Sequence, residues 1–355
     1  MTFENDNIHL RRPRLIRRLP AAERPGSHRD LVAELSQRVI GQEEGLARIV
    51  PFIQMFEAGL APEGRPVGVF LLLGPTGTGK TRTVEALAEV LHGSPRNILK
   101  MDCGEFQMEH EVAKLVGAPP GYLGHRETQP MLTQARLAAV TSEKSALSIV
   151  LFDEVEKAAP SLTRLLLGVL DKATLRLGDN NIVNFERSLI FLTSNLGAGN
   201  MMKALNPDFG LAANLERPAV ENSRHVIDQI AQNAAKRQFP PEFMNRVDSV
   251  ITYQPLSEDT LKAILSLQIS EMQAHIRRRL GERAFHVEVP TRSRLFLLKQ
   301  GCSREYGARE IRRTLQSQIM QPLSALVADG QIPPGALVIA DMNASRDKLK
   351  LKVAA

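Results

Sequence analysis

The amino-acid sequence predicts an α/β protein built around a mainly parallel sheet, followed by a smaller α+β domain. Three observations predict it. Five short β-like runs (Val69–Leu73, Asn97–Asp102, Ser148–Phe152, Ser188–Thr193 and Ser249–Tyr253) are mostly separated by helical segments. A glycine-rich stretch, Gly74-Pro75-Thr76-Gly77-Thr78-Gly79-Lys80-Thr81, joins the first run to a segment whose apolar residues Val84, Leu87, Ala88 and Leu91 recur at helical spacing. From Ser257 this alternation gives way to one long helical pattern and then to short mixed elements.

Composition bounds the reading. With 43% hydrophobic and 24% charged residues, the 355-residue chain resembles an ordinary soluble globular protein with room for about two domains. No apolar run approaches the roughly 20 residues that span a bilayer. The N-terminal arginines lack an apolar stretch behind them, so no secretory signal is expected. Cys103 and Cys302 are isolated, with no metal or disulfide spacing, and a reduced cytoplasmic location is expected. Half of the formal charge of +6 arises before residue 31, where seven arginines outnumber four acids. Such a tail can bind nucleic acid or an anionic membrane; interrupted by Pro13, Pro20 and Pro25, residues 1–30 also read as a solvated, disordered arm.

After the arm, Asp30 to Gly59 reads as two helices broken at Val39-Ile40-Gly41-Gln42. Pro62, Gly64 and Pro66 form a loop into the first strand. The boundary to the second domain lies near Pro255, giving 31–255 and 256–355. Ser257 caps a helix running to about Leu280. A strand-like run at Phe285–Val289, helices at about Arg292–Lys299 and Ala308–Val327, and strands at Ala336–Ala340 and Lys348–Val353 complete the chain.

The glycine-rich stretch carries the first chemistry. A strand, G-x-x-x-x-G-K-[ST] and a helix, in that order, form the context a phosphate-binding loop needs. Glycines let the backbone wrap phosphate oxygens, and the helix adds its unpaired first-turn N–H groups. Lys80 would reach the β- and γ-phosphates, and the Thr81 hydroxyl would coordinate Mg²⁺. Ser148–Phe152 then delivers Asp153 and Glu154 to the sheet edge where ligands bind in open α/β folds. Alone, an acidic pair after a strand is commonplace. With the loop it becomes a nucleotide signature, Asp153 in the Mg²⁺ shell and Glu154 polarising the attacking water. Asn195, closing the run Phe191-Leu192-Thr193-Ser194-Asn195, could bond the γ-phosphate and that water; by itself it equally reads as a turn residue.

The ordered set GPTGTGKT, LFDEVEK, TSN, PEFMNRVD and YGARE resembles the AAA+ ATPases of the Clp/heat-shock unfoldase class, and is most similar to the second ATPase module of the double-ring members. The resemblance runs from about Leu31 to Val353. It implies a P-loop AAA+ sheet of five parallel strands with helices on both faces, the TSN strand lying between the P-loop and acidic strands. It also implies a C-terminal lid domain, ATP and Mg²⁺ as cofactors, and assembly of a homo-oligomer, a hexameric ring, that acts on protein substrates. By the same resemblance Arg246 is an arginine finger for the neighbouring subunit, Arg309 is the lid arginine that touches nucleotide in its own subunit, and Val39 and Ile40 pack on adenine. Gly117-Ala118-Pro119-Pro120-Gly121-Tyr122-Leu123-Gly124 resembles the pore loop, with Tyr122 and Leu123 gripping a threaded polypeptide.

Some positions depart from the pattern. His125–Pro130 stands where an aromatic, acids and glycines are usual, and Gly178-Asp179-Asn180-Asn181 replaces a more glycine-rich turn. Phe209-Gly210-Leu211 lies where protease-coupled relatives dock on a proteolytic chamber, with Phe in place of an aliphatic residue. The 355 residues include neither a preceding ATPase module nor a coiled-coil insertion, so a self-sufficient disaggregase is not expected. Two alternatives stay open, a nucleic-acid-remodelling AAA+ motor and an ATP-switched assembly module without unfoldase activity. The first is motivated by the basic arm, although no motif interleaving basic and aromatic residues accompanies it.

Overall fold

A computed structural model describes residues 30–117, 129–205, 220–301, 307–343 and 348–354. Residues 1–29 of the expected N-terminal arm (1–30), Tyr122, Leu123 and Phe209-Gly210-Leu211 lie outside the described residues. Leu31–Ala355 forms one compact unit.

The chain opens with α1 (Leu31–Ser36) and α2 (Glu43–Glu57), divided at the expected break. Strand β1 (Gly68–Leu73) leads through the glycine-rich loop into α3 (Lys80–His92). Next come β2 (Leu99–Asp102), α4 (Glu109–Val116), α5 (Gln134–Ala139) and β3 (Ser148–Asp153). Then follow α6 (Pro160–Lys172), a hairpin of β4 (Thr174–Arg176) and β5 (Ile182–Asn184), and β6 (Ser188–Ser194). Helices α7 (Ala198–Leu205), α8 (Val220–Gln238) and α9 (Pro241–Met244) precede β7 (Ser249–Thr252).

Five of these strands form a sheet in the order β2-β3-β6-β1-β7. All its pairings are parallel, so β6 separates β1 from β3 as expected. Side chains alternate across a strand, and β1 feeds both faces. Val69, Leu71 and Leu73 join a cluster with Phe152, Leu166, Leu170 and Phe243. Phe70 and Leu72 join the opposite cluster with Leu46, Ile53, Leu87 and Phe191. Burial on both faces is why the parallel strands read as continuous apolar runs.

Beyond the sheet come α10 (Glu258–Leu280), β8 (His286–Glu288), α11 (Thr291–Gly301) and α12 (Ala308–Leu315). A π-helical segment (Gln316–Met320), α13 (Gln321–Ala328), β9 (Leu337–Met342) and β10 (Leu349–Ala354) complete the order. Ser257 caps α10, its hydroxyl accepting from the Thr260 N–H at 3.2 Å. Strand β9 pairs parallel with β8 and antiparallel with β10. Leu265, Ile269, Leu297, Ile311, Ile319 and Val338 form a third, separate cluster. The Gln273 side chain donates to the Phe285 carbonyl and accepts from the Val287 N–H, both at 2.8 Å, along the free side of β8.

Three details differ from the sequence reading. The second strand starts at Leu99, not Asn97, because the amides of Asn97 and Ile98 donate to the carbonyls of Ser94 and Arg96 in a turn. The helix expected over Ala308–Val327 contains the π segment just before Pro322, whose missing N–H and ring crowding relieve themselves by widening the preceding turn. The β4–β5 hairpin was not expected. Its turn, with Asn180 left-handed at φ 68°, is tied to α4 by a bond from the Gly178 amide to the Val116 carbonyl.

A candidate nucleotide site at the carboxyl edge of the sheet

The site is built where β1, β3 and β6 end. Leaving β1, the chain turns at Gly74 with φ +146°, pressed so close to β7 that a Cβ would stand 2.6 Å from the Tyr253 carbonyl oxygen. Thr78 ties the loop to itself by donating to the Pro75 carbonyl at 2.8 Å. Lys80, the first residue of α3, folds back across the loop and donates to the carbonyls of Gly74 (2.6 Å) and Pro75 (2.9 Å) and to Asn195 Oδ1 (2.8 Å). Burial pulls its pKa down to about 8; the charges of Glu156, Asp153 and Glu154 oppose that pull, and Arg309 adds to it. Thr81 is half-buried in the first turn of α3, beside these groups in sequence.

Asp153 is the last residue of β3. Its carboxylate accepts a hydrogen bond from the Thr193 hydroxyl and pairs with Lys100 of β2 at 2.7 Å. Burial alone would raise its pKa, but the bonds from Lys100 and Thr193 and the charges of Lys100 and Lys80 outweigh it and hold the carboxyl below its ordinary value. Glu154 follows at φ 58°, a left-handed conformation that costs a non-glycine residue about 1–2 kcal/mol. The Thr193 hydroxyl stabilises it by accepting from the Glu154 N–H at 2.9 Å. One Glu154 oxygen accepts from the Asn195 side-chain amide at 2.9 Å, and the other pairs with Lys157. Asn195, one residue past β6, therefore bridges Lys80 and Glu154.

Other predicted residues arrive from further along the chain. Val39 is buried, with its Cγ1 3.8 Å from where a Cβ on Gly79 would lie; Ile40 beside it is half-buried. Gln42 donates to the Thr78 and Gln254 carbonyls, both at 3.1 Å, so the α1–α2 break is fastened to the loop. At the head of α12, Gly307 has φ +52°, and a Cβ there would meet the Gly77 carbonyl oxygen at 2.8 Å. The Ala308 N–H donates to the same oxygen at 3.2 Å. This contact sets Arg309, exposed and without an ion pair among the described residues, beside the glycine-rich loop.

Arg246 is not part of this constellation. Asp248, two residues on, donates its backbone N–H to the Val69 carbonyl at the amino end of β1. At about 3.3 Å per residue, that is roughly 16 Å of strand from Gly74. There Arg246 donates to the Glu242 carbonyl at 2.8 Å and pairs with Asp171 at 3.4 Å and Glu242 at 3.7 Å.

Four groups emerge only in three dimensions: Lys100, the hydroxyl of Thr193, Glu156 and the side chain of Gln42. A charged residue inside the four-residue β2 was the available signal for Lys100. The donor set suits Mg²⁺, a hard cation that takes one or two protein oxygens and keeps waters and phosphate for the rest. Thr81 would supply a hydroxyl and Asp153 a carboxylate, which here pairs with Lys100. Among the described residues no group of three or more His, Cys, Asp and Glu side chains forms a self-contained metal cage.

Residues 65–250 match the family model described as AAA domain (Cdc48 subfamily). The chain belongs to this AAA family of ATPases. Residues 256–340 match the model described as the C-terminal, D2-small domain of ClpB protein. Among curated relatives, the Chaperone protein ClpB of Corynebacterium diphtheriae is 35% identical over 320 residues, covering 90% of this chain and 33% of the relative. The Chaperone protein ClpB of Meiothermus ruber is 34% identical over 303 residues, covering 85% of this chain and 33% of the relative. The AAA chain thus spans about a third of the length of the curated relatives it matches. A closed-state cryo-EM reconstruction of Hsp104 with ATPγS and FITC casein superimposes with a TM-score of 0.71 at 25% identity, covering 90% of this chain and 51% of that one. Among the described residues, no helix is long and apolar enough to cross a membrane.

Proposed function

We propose that this AAA module hydrolyses ATP, with Mg²⁺, to unfold or remodel polypeptides threaded through a hexameric ring of copies. The observation that carries the reading is the bridge made by Asn195 between Lys80 and Glu154, since it links a phosphate-binding cation to a carboxylate placed to act on water. Lys80 and the loop from Gly74 to Gly79 bind the phosphates, with Pro75, Thr76, Gly77 and Thr78 forming the cradle. Thr81 and Asp153 would hold Mg²⁺, which when bound would neutralise phosphate charge. Glu154 orients and polarises the attacking water, and Asn195 fixes its distance from the γ-phosphate. Val39 and Ile40 face the adenine.

Arg309 acts within its own subunit, supported by the contact of Gly307 with Gly77. Arg246, a strand length from its own loop, acts on the neighbour's nucleotide. Residues 256–355 form the lid on the large domain 31–255, a division supported by the separate hydrophobic cluster beyond residue 265. Tyr122 and Leu123 grip the threaded chain. The printed name of the ClpB relatives, and casein in the Hsp104 reconstruction, support a polypeptide substrate.

Replacing Glu154 with Gln tests the core of this reading. The variant should bind ATP as tightly as the parent while turnover falls about 10²-fold or more, the scale of a lost general base. Turnover at the parental rate would overturn the assignment.

A further inference from the structure

Glu156 has no role in the mechanism above, yet it reaches into the site. It lies in the 3-10 turn Val155–Lys157 that follows β3, half-buried, while the neighbouring Lys157 faces solvent. One carboxylate oxygen accepts from the Asn195 backbone N–H at 2.9 Å. The other is buried and has no hydrogen-bond partner among the described residues. The position of Asn195 explains why this contact matters. The β1–β6 ladder ends at Ser194 and the β3–β6 ladder at Leu192, so the Asn195 amide lies beyond both. Nothing in the sheet orients the residue whose side chain spans Lys80 and Glu154. The Asn195 carbonyl accepts from the Ala198 N–H at 3.2 Å, and the Asn195 N–H is held by Glu156.

We infer that Glu156 is a positioning residue: its carboxylate oxygen pins the Asn195 backbone so that the Asn195 amide can hold Lys80 and Glu154 in one geometry. The charge of Glu156 is secondary to its reach. Its negative charge does act on Lys80 more strongly than that of any other carboxylate. The bond to Asn195, however, needs only an oxygen at that distance, and the second oxygen makes no hydrogen bond to be lost.

The test separates reach from charge and rests on the ATPase reading only in its second half. Glu156→Asp keeps the charge but withdraws the acceptor by one methylene, about 1.5 Å. Glu156→Gln removes the charge but keeps an oxygen in place. In nucleotide-free protein, residue-resolved hydrogen exchange at the Asn195 amide should be at least about tenfold faster in the Asp variant and within about threefold of the parent in the Gln variant, as expected for losing or keeping one hydrogen bond. ATP turnover should follow: kcat down about tenfold or more for Asp, with KM within about threefold, and near-parental kcat for Gln. Slow exchange in the Asp variant, or a Gln variant as impaired as the Asp variant in both measurements, would overturn the inference. Exchange behaving as expected in a parent protein that does not hydrolyse ATP would uphold the anchor and overturn the ATPase reading instead.

Discussion

Arg309 and Arg246 occupy opposite edges of the fold and are held in opposite ways. Arg309 stands exposed at the head of α12, placed by a backbone contact between Gly307 and Gly77 and unpaired among the described residues. Arg246 is three-quarters buried at the amino edge, clasped by Asp171 and Glu242 of its own chain. A cation already beside its target needs only a scaffold. On the proposed reading Arg246 is directed at another subunit; it would then need partners of its own to keep its side chain aimed, and engagement would exchange those partners for phosphate oxygens. Asp171 and Glu242 are themselves exposed, and pairs with such partners contribute about 0–1 kcal/mol, so the exchange is cheap.

This contrast can be broken most sharply at Arg246. Arg246→Ala should lower ATP turnover about 10³-fold, the scale of an arginine supplied in trans. Mixing it with Lys80→Ala, equally inactive, should restore part of the rate, because the Lys80→Ala subunit still offers its Arg246 to an intact neighbouring loop. No recovery on mixing would place Arg246 in its own site and dissolve the distinction.

A smaller effect is expected at the other arginine. Arg309→Ala should weaken nucleotide affinity about tenfold, one charge-assisted hydrogen bond, measured by titration with a fluorescent ATP analogue. Adding Lys80→Ala subunits should not restore it; recovery would mean that Arg309 also works across subunits. The smallest effect concerns its scaffold. Gly307→Ala forces a side chain into left-handed backbone against the Gly77 carbonyl, and should lower Tm by about 2–4 °C while loosening nucleotide binding severalfold. An unchanged melting curve would show that α12 does not rest on the loop in solution.

The same contrast explains what could be read in advance. The loop, the acidic pair and Asn195 are contiguous in sequence with strands apolar enough to be recognised, so the strands, the long helix α10 and most of the carboxyl-edge site were legible. Arg246 and Arg309 were not distinguishable from other arginines by local pattern and needed the family resemblance. Lys100, Thr193 and Glu156 act on residues from 39 to 53 positions away, through neighbours that only the β2-β3-β6 order creates. Strands β4 and β5 have three residues each, too few for alternation to stand out. The π segment depends on how one proline is absorbed inside a helix, which periodicity does not encode.

The three-stranded sheet beyond α10 has two edges, and each is guarded by a different device. Along β8, the Gln273 amide occupies the carbonyl and N–H that a foreign strand would use. Along β10, Lys350 and Lys352 are exposed at alternate positions, Lys352 paired with Asp341 of β9 at 3.3 Å, and lysines on an edge strand disfavour the approach of another sheet. Crowding many copies around a common axis is the setting in which open edges fuse into filaments. With one edge occupied by Gln273 and the other lined by lysines, copies in the proposed ring would meet through side-chain surfaces, contacts that can slide and release.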